Sequence, residues 1–330
     1  MYALFLALLF IGLAPPLAAA QQTAKEPAKL DVRRTLQSPS SVLRLLDPQL
    51  QQLIRLNYEG GNPVSEQRTT ANSAPPALPT TNSGVISNTL NFPWRYVGYL
   101  EVRRSETVSG TCTGTMISAH VVLTAAHCLY DEKQGYLTDV TFIPARNAGL
   151  EPLGRYKAKK TVQLNPITGR LNTNFDLAFV VLEDSPFTEA AKERFIPVGI
   201  VTDAHFQSGS VPLSIVAAGY PTDKLANVNR GILTIATTTA YRNPKQPKYR
   251  TADGFSETSN QFEHKALTEE GTSGGPVFVY HPQYNQFALV GVISMRRTFE
   301  DGSDWAAAIK INSITQAAIQ KAVRQFEAKP

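Results

Sequence analysis

Glu270-Gly271-Thr272-Ser273-Gly274-Gly275-Pro276 is the stretch on which the reading of this chain turns. A serine flanked by small residues sits readily on a tight turn with its hydroxyl exposed. Gly271 leaves the backbone free to aim its N–H at a substrate oxygen, and Gly274-Gly275 let the chain leave the turn without a clash. Taken alone, a Gly-Ser-Gly run is more often a turn or a linker. The balance changes because the chain also carries a histidine and an aspartate in matching contexts. The three together read as nucleophile, base and orienting carboxylate.

The first of those contexts is Val121-Val122-Leu123-Thr124-Ala125-Ala126-His127-Cys128. Ala125 and Ala126 permit a close turn, so His127 projects from the end of an apolar strand. His120, His205, His264 and His281 lack such a setting and read as structural. The second context is Asn174-Phe175-Asp176-Leu177-Ala178-Phe179-Val180-Val181-Leu182, which places one acid at the head of an apolar strand. A carboxylate buried without partners is costly, so it needs donors or a positive charge. A histidine N–H is one such donor; a turn aspartate capping the strand is the alternative for this segment alone.

Composition sets the frame. With 330 residues, 42% hydrophobic and 18% charged, the chain can build one large domain or two small ones with real cores. The formal charge of +5 is scattered, with small clusters at Lys157–Lys160 and Arg242–Arg250, and reads as solvated surface rather than a nucleic-acid site. Residues 1–20, MYALFLALLFIGLAPPLAAA, form an apolar segment broken by Pro15-Pro16 and ending in an Ala-x-Ala pattern. This fits a cleaved secretory signal. A membrane anchor is the competing reading, but the uninterrupted apolar part is short for a span. The expectation is a secreted protein, extracellular or periplasmic, with no membrane association after cleavage.

Export makes Cys112 and Cys128 informative, because they are the only cysteines and lie 16 residues apart. An oxidising compartment would join them, pinning the peptide that carries His127 to the strand that carries Cys112; two free buried thiols are the alternative. Closing a loop of that size contributes about 3 kcal/mol in the chain-entropy view.

Residues 21–88 differ in texture from the remainder of the chain. Short helical patterns are expected near Ser41–Leu46 and Pro48–Asn57, then a polar, Pro-rich run over residues 59–84 that reads as a flexible linker. The segment is expected to be a propeptide or non-catalytic extension. From about Leu90, short β-like runs alternate with turns: Trp94–Arg103, Gly114–Ile117, Val121–Ala125, Val140–Ile143, Leu177–Leu182, Leu213–Ala218, Gly231–Thr239, Gly275–Tyr280, Phe287–Ser294 and Trp305–Ile311. Strands at this spacing predict an all-β sandwich or barrel. A helix is predicted over Ser313–Phe326, capped by Asn312 or Ser313, with Ile314, Ala317, Ala318 and Val323 on its buried face.

These motifs resemble the chymotrypsin-fold, trypsin-like serine endopeptidases. TAAHC, NFDLAFVVL and GTSGGP occur in that family's order, with 49 residues from His127 to Asp176 and 97 from Asp176 to Ser273. The cysteine pair, FPW at Phe92–Trp94, LVGVIS at Leu289–Ser294 and the final helix agree. The resemblance covers about residues 90–330. CTGTMIS at Cys112–Ser118, HCLYD at His127–Asp131, PARNAG at Pro144–Gly149 and AGYPTDK at Ala218–Lys224 look closest to the V8-like, glutamyl endopeptidase branch.

The resemblance implies two six-stranded antiparallel β-barrels, about 90–205 and 206–311, with the catalytic groups between them and a C-terminal helix over 312–326. It implies a serine-type endopeptidase (EC 3.4.21.-) in which His127, Asp176 and Ser273 act through an acyl-enzyme, with Gly271 and Ser273 N–H groups as oxyanion hole. It implies no metal or cofactor, protein or peptide substrates, a protein inhibitor as a further possible partner, and a monomer. Ser294 falls where the family pairs its backbone with extended substrate and supports the aspartate.

Two departures stand out. Thr272 replaces the acid that trypsin-like zymogens pair with a new N-terminal amine. For specificity, Ile293 stands where acid-selective members place a histidine, and Leu267 where trypsin places an aspartate. Thr268 and Arg296 are the remaining candidates for touching the substrate side chain, Arg296 reading equally as a rim residue. A protease-like binding protein without activity is the other functional reading, weakened by the presence of all three triad residues. A quality-control protease with an appended peptide-binding module is not expected, since 57 residues follow Ser273 and the second barrel and helix use them.

Overall fold

A computed structural model describes residues 82–106, 109–131, 135–164, 173–187, 189, 193–201, 213–222, 231–240, 249–250, 256–257, 260–267, 269–281, 286–298, 302 and 304–327. The expected signal segment, the two helices near 41–57, most of the linker, most of the 242–250 basic cluster, His205 and Thr268 lie outside the described residues. Strand β1 (Asn82–Val85) comes first in the chain but belongs to the second sheet. The next strands are β2 (Val97–Arg103), β3 (Ser109–Met116), β4 (Val121–Thr124), the two-residue pair β5 (Tyr130–Asp131) and β6 (Gly135–Tyr136), β7 (Val140–Pro144), β8 (Tyr156–Gln163) and β9 (Ala178–Leu182). Six of them close an antiparallel barrel in the order β2-β3-β4-β9-β8-β7. Runs of β-branched and aromatic residues suit its walls: every residue of β4 and β9 is buried. Strand β8, YKAKKTVQ, carries no strand signal in the sequence, because its lysines read as solvated surface. They are indeed exposed, while Tyr156, Ala158 and Val162 alternate inward against the core.

The rest of the chain supplies β10 (Leu213–Gly219), β11 (Thr234–Ala240), a short β12 (Tyr249–Arg250) and β13 (Ser256–Glu257) pair, β14 (Gln261–His264), β15 (Pro276–His281), β16 (Gln286–Thr298) and β17 (Asp304–Lys310). Six of these, all but the separate β12–β13 pair, join β1 in a seven-stranded antiparallel sheet, β1-β11-β10-β15-β16-β17-β14. Strands β11 and β14 also approach each other, so the sheet curls as a half-barrel over its own core of Phe262, Val277, Val290 and Ile293. The second expected six-stranded barrel is thus a curled sheet with one added strand. That strand, β1, has the sequence NSGV, too polar to signal a strand, and it is held by backbone pairing to β11 from Asn82↔Thr237 to Val85↔Thr234. Just after it, Ile86 is fully buried. The end of the expected linker is therefore part of the fold.

Helix α1 (Ser313–Glu327) follows β17. Asn312 is its N-cap, with Oδ1 accepting from the N–H groups of Ile314 and Thr315 at 3.0 Å each. The predicted buried face is out of phase. Ile314 is 59% exposed, and Thr315, Ile319 and Ala322 are buried instead. The cap fixes the rotation of the first turn, and it points Thr315 rather than Ile314 toward the sheet. At the far end, Glu327 accepts from Ser118 Oγ at 2.7 Å and from His120 N at 2.6 Å, anchoring the helix to the turn between β3 and β4.

Where the barrel and the sheet meet, Tyr220 is fully buried, with its hydroxyl on Arg146 O at 3.0 Å and its ring edge-on to Tyr99. Trp94 packs edge-on against Phe278 of β15. Ile86→Ala should lower unfolding stability by about 2–5 kcal/mol, read from denaturant titration of the folded protein.

Candidate active site

Cys112 in β3 and Cys128 are joined as a disulfide. Cys128 lies in the single 3-10 turn Ala126–Leu129 that follows β4, so the bridge fixes the turn that carries His127. Asp176 stands at the entry to β9, wholly buried. Its Oδ1 accepts the His127 backbone N–H at 2.8 Å, and its Oδ2 faces His127 Nδ1 at 2.7 Å. Ser294 Oγ, from β16, also donates to Oδ2. The carboxylate is thus held by donors from both β-layers.

Those contacts decide the protonation chemistry. Burial alone would depress the His127 pKa, but the charge of Asp176 and its hydrogen bond outweigh burial, and the net shift is upward. For Asp176, burial pushes upward, yet the His127 charge and hydrogen bonds from His127 and Ser294 hold its pKa below the usual carboxylate value. A bound carboxylate at Nδ1 favours the tautomer with its proton there, leaving Nε2 as the basic atom.

Ser273 sits on the loop between β14 and β15. Gly271 and Gly274 adopt φ of +86° and +81°, which side-chain-bearing residues rarely tolerate. At Gly274 a Cβ would meet Thr124 Oγ1 at 2.1 Å and Thr113 O at 2.2 Å, so the turn is pressed directly against the barrel. Thr113 holds it there. Its N–H donates to Ser273 O and its Oγ1 to Gly271 O, each at 2.8 Å. The Ser273 hydroxyl donates to Ser294 O at 3.5 Å, a long contact, and makes no hydrogen bond to His127 among the described residues. The N–H groups of Gly271 and Ser273 are likewise not engaged among the described residues. Thr272 Oγ1 donates within its own loop, to Glu269 O at 2.6 Å, and the side chain is buried. The residue at the zymogen-acid position therefore closes its turn locally.

His127, Asp176, Ser273, Ser294 and Arg296 line one cleft of about 340 Å³, together with Glu269, Glu270 and Met295. The last three were not legible as site residues, since nothing in their local sequence marks them. The expected substrate contacts fare unevenly. Ile293 is buried in the core of the second sheet, its main chain bonded to Gly274 and Gly275. Its side chain faces the core of the second sheet, on the opposite face of β16 from the cleft-lining Ser294. Leu267 is also buried. Arg296 is at the cleft, 53% exposed at its side chain and ion-paired with Asp304. Cys112, His127 and Cys128 cluster closely enough to suggest a metal site, but both sulfurs are in the disulfide and neither is a thiolate ligand.

A barrel and a curled sheet that bring an imidazole–carboxylate pair and a glycine-turn serine into one cleft define a chymotrypsin-like fold. The family model described as Trypsin matches residues 83–318, and the chain belongs to that family. It is similar to the glutamyl endopeptidase of Bacillus licheniformis, 32% identical over 143 residues, covering 43% of this chain and 40% of that protein. It is also similar to a Bacillus subtilis protein named extracellular metalloprotease, 29% identical over 140 residues and 42% of each chain. The chain thus spans less than half the length of these curated relatives. A solved structure of a Glu endopeptidase in complex with MPD shares the fold at a TM-score of 0.55 and 19% identity, covering 73% of this chain and 95% of that one.

The upward shift of His127 is testable without substrate. An NMR titration should place its midpoint above the ordinary histidine value of about 6.5. Asp176→Asn should move the midpoint below that of the native protein, because burial then acts on the imidazolium unopposed.

Proposed function

We propose that this protein is a serine endopeptidase cleaving protein or peptide substrates through a His127–Asp176–Ser273 triad. The observation that carries the reading is the Asp176 carboxylate bound to His127 at both its backbone N–H and Nδ1, in the cleft that Ser273 enters. Substrate entry would turn Ser273 Oγ from Ser294 O toward His127 Nε2. The serine oxygen then attacks the scissile carbonyl carbon while Nε2 takes its proton. The N–H groups of Gly271 and Ser273 bind the oxyanion, and Asp176 stabilises the imidazolium. Nε2 returns the proton to the leaving amine, leaving an acyl-enzyme. Water, deprotonated by the same nitrogen, releases the acid and restores Ser273.

The same proposal includes export and a precursor. The apolar segment 1–20 would be removed first. A second cut would fall upstream of Asn82, because β1 and Ile86 belong to the folded domain. Thr272 is tied within its own loop, so the nucleophile loop needs no new amine to pair with it. Selectivity for acidic residues is not carried over from the glutamyl endopeptidase relative. Ile293 is buried, and Arg296 is paired with Asp304.

The test is a comparison of secreted native and Ser273→Ala proteins with a fluorophosphonate probe and a mixed peptide library. Native protein should label at Ser273, and Ser273→Ala should lower kcat about a millionfold. Absence of labelling and of Ser273-dependent cleavage would instead support a binding protein. Asp176→Asn should keep labelling detectable while lowering kcat about 10⁴-fold. N-terminal sequencing of active protein should find a start between residues 22 and 82; an intact Gln21 start would sink the precursor proposal.

A further inference from the structure

We propose that Asn260 is a positioning residue for Asp176, acting through the main chain two residues before it. The kinetic part of this proposal rests on the peptidase reading above; the geometric part does not. Asn260 is only 5% exposed and immediately precedes β14. Its Nδ2 donates to Asn174 O at 3.0 Å. Its Oδ1 accepts from Asn312 Nδ2 at 2.8 Å, and its backbone carbonyl accepts from Lys310 N at 2.8 Å.

The direction of every bond in this chain is dictated by its ends. A backbone carbonyl only accepts, so Asn260 must present its amide nitrogen to Asn174. That leaves its Oδ1 for Asn312, which must then donate. Asn312 can do so because its own Oδ1 is occupied by the N–H groups of Ile314 and Thr315. One buried carboxamide thus links the Asp176 segment, the end of β17 and the cap of α1, with no choice of orientation anywhere.

The link answers a mechanical problem. Asp176 leads into β9 of the barrel, and Leu177 O is bonded to Leu164 N, also on the barrel side. Yet its carboxylate must meet His127 from the barrel and Ser294 from the second sheet at once. A segment fixed to the barrel alone would leave the Ser294 contact, and the pitch of the carboxylate against the imidazole, to side-chain torsion. Asn260 supplies a main-chain tie to the second sheet beside the acid. Removing its donor should loosen the carboxylate without emptying the core.

The experiment uses the secreted, processed protein with Asn260→Asp and Asn260→Ala. Asn260→Asp keeps the shape and the acceptor for Asn312 but turns an oxygen toward Asn174 O. Three quantities are read: kcat and KM against pH on a peptide, the low-field proton resonance of His127 Nδ1–H without substrate, and thermal unfolding. Both variants should lower kcat about tenfold while KM stays within about twofold. The acid limb of kcat should move to lower pH, because a weakened carboxylate contact leaves burial to disfavour the imidazolium. The low-field resonance should shift or broaden. An unmoved acid limb and an unmoved resonance in folded Asn260→Asp would overturn the proposal. So would unfolding of both variants, or activity that falls only in step with the folded fraction. If native protein shows no turnover and no Ser273 labelling, the peptidase reading fails, and the substrate-free resonance still decides the role of Asn260.

Discussion

Two adjacent residues of β3 hold the candidate active site together. Cys112 is bonded to Cys128, next to His127, and so fixes the turn that carries the imidazole. Thr113 fixes the Ser273 loop: its N–H meets Ser273 O and its hydroxyl meets Gly271 O. The same hydroxyl oxygen accepts Tyr220 N at 3.0 Å, and the Thr113 carbonyl accepts Thr124 Oγ1 at 2.8 Å. A group on the barrel and a group on the second sheet are thereby referred to one rigid strand. Each such hydrogen bond contributes only about 1 kcal/mol to stability. Their larger effect is positional, since a displacement of about 1 Å between reacting groups can cost about 100-fold in rate.

The second constraint is electrostatic. A wholly buried aspartate is tolerable only where donors replace water. Here they come from the His127 main chain, the His127 ring and Ser294. Because two of those belong to the barrel and one to the sheet, the acid reaches full satisfaction only when both layers are in place. The C-terminal helix reinforces the join from outside the cleft. It begins at the Asn312 cap beside β17 and ends with Glu327 gripping the 118–120 turn of the barrel. Between these points, Gln316 Nε2 donates to Val198 O in the connecting segment. That segment runs alongside β16, with Gly199 N on Leu289 O at 2.8 Å.

Much of this was legible because certain residue types leave few alternatives. Apolar β-branched runs such as Val121–Leu123 and Ala178–Leu182 became strands close to their predicted limits. Asn312 was legible as a cap. The illegible elements share a physical cause: they are stabilised by partners rather than by their own composition. Strand β1 is polar and exists through its backbone ladder with β11. Strand β14, QFEH, buries Glu263 because Arg297 pairs with it at 2.6 Å. In α1, hydrophobicity alone would bury Ile314, whereas the cap and the Thr315 hydroxyl bond to Lys310 O at 3.3 Å turn Thr315 inward.

By itself the sequence determined that this is an all-β chain of the trypsin type, and it marked His127, Asp176, Ser273 and the cysteine pair as the candidate site. Those features depend on local patterns: small residues at a turn, an acid heading an apolar strand, a single cysteine pair. Only the tertiary structure decided that β1 joins the second sheet, that Ile293 is core and Arg296 rim, and that Thr113 and Asn260 tie the layers together. The reason is that these roles are relations between residues far apart in the chain. Thr113 meets Gly271 across 158 positions and Asn260 meets Asn174 across 86. A threonine or an asparagine in isolation carries no mark of the distant carbonyl it will find.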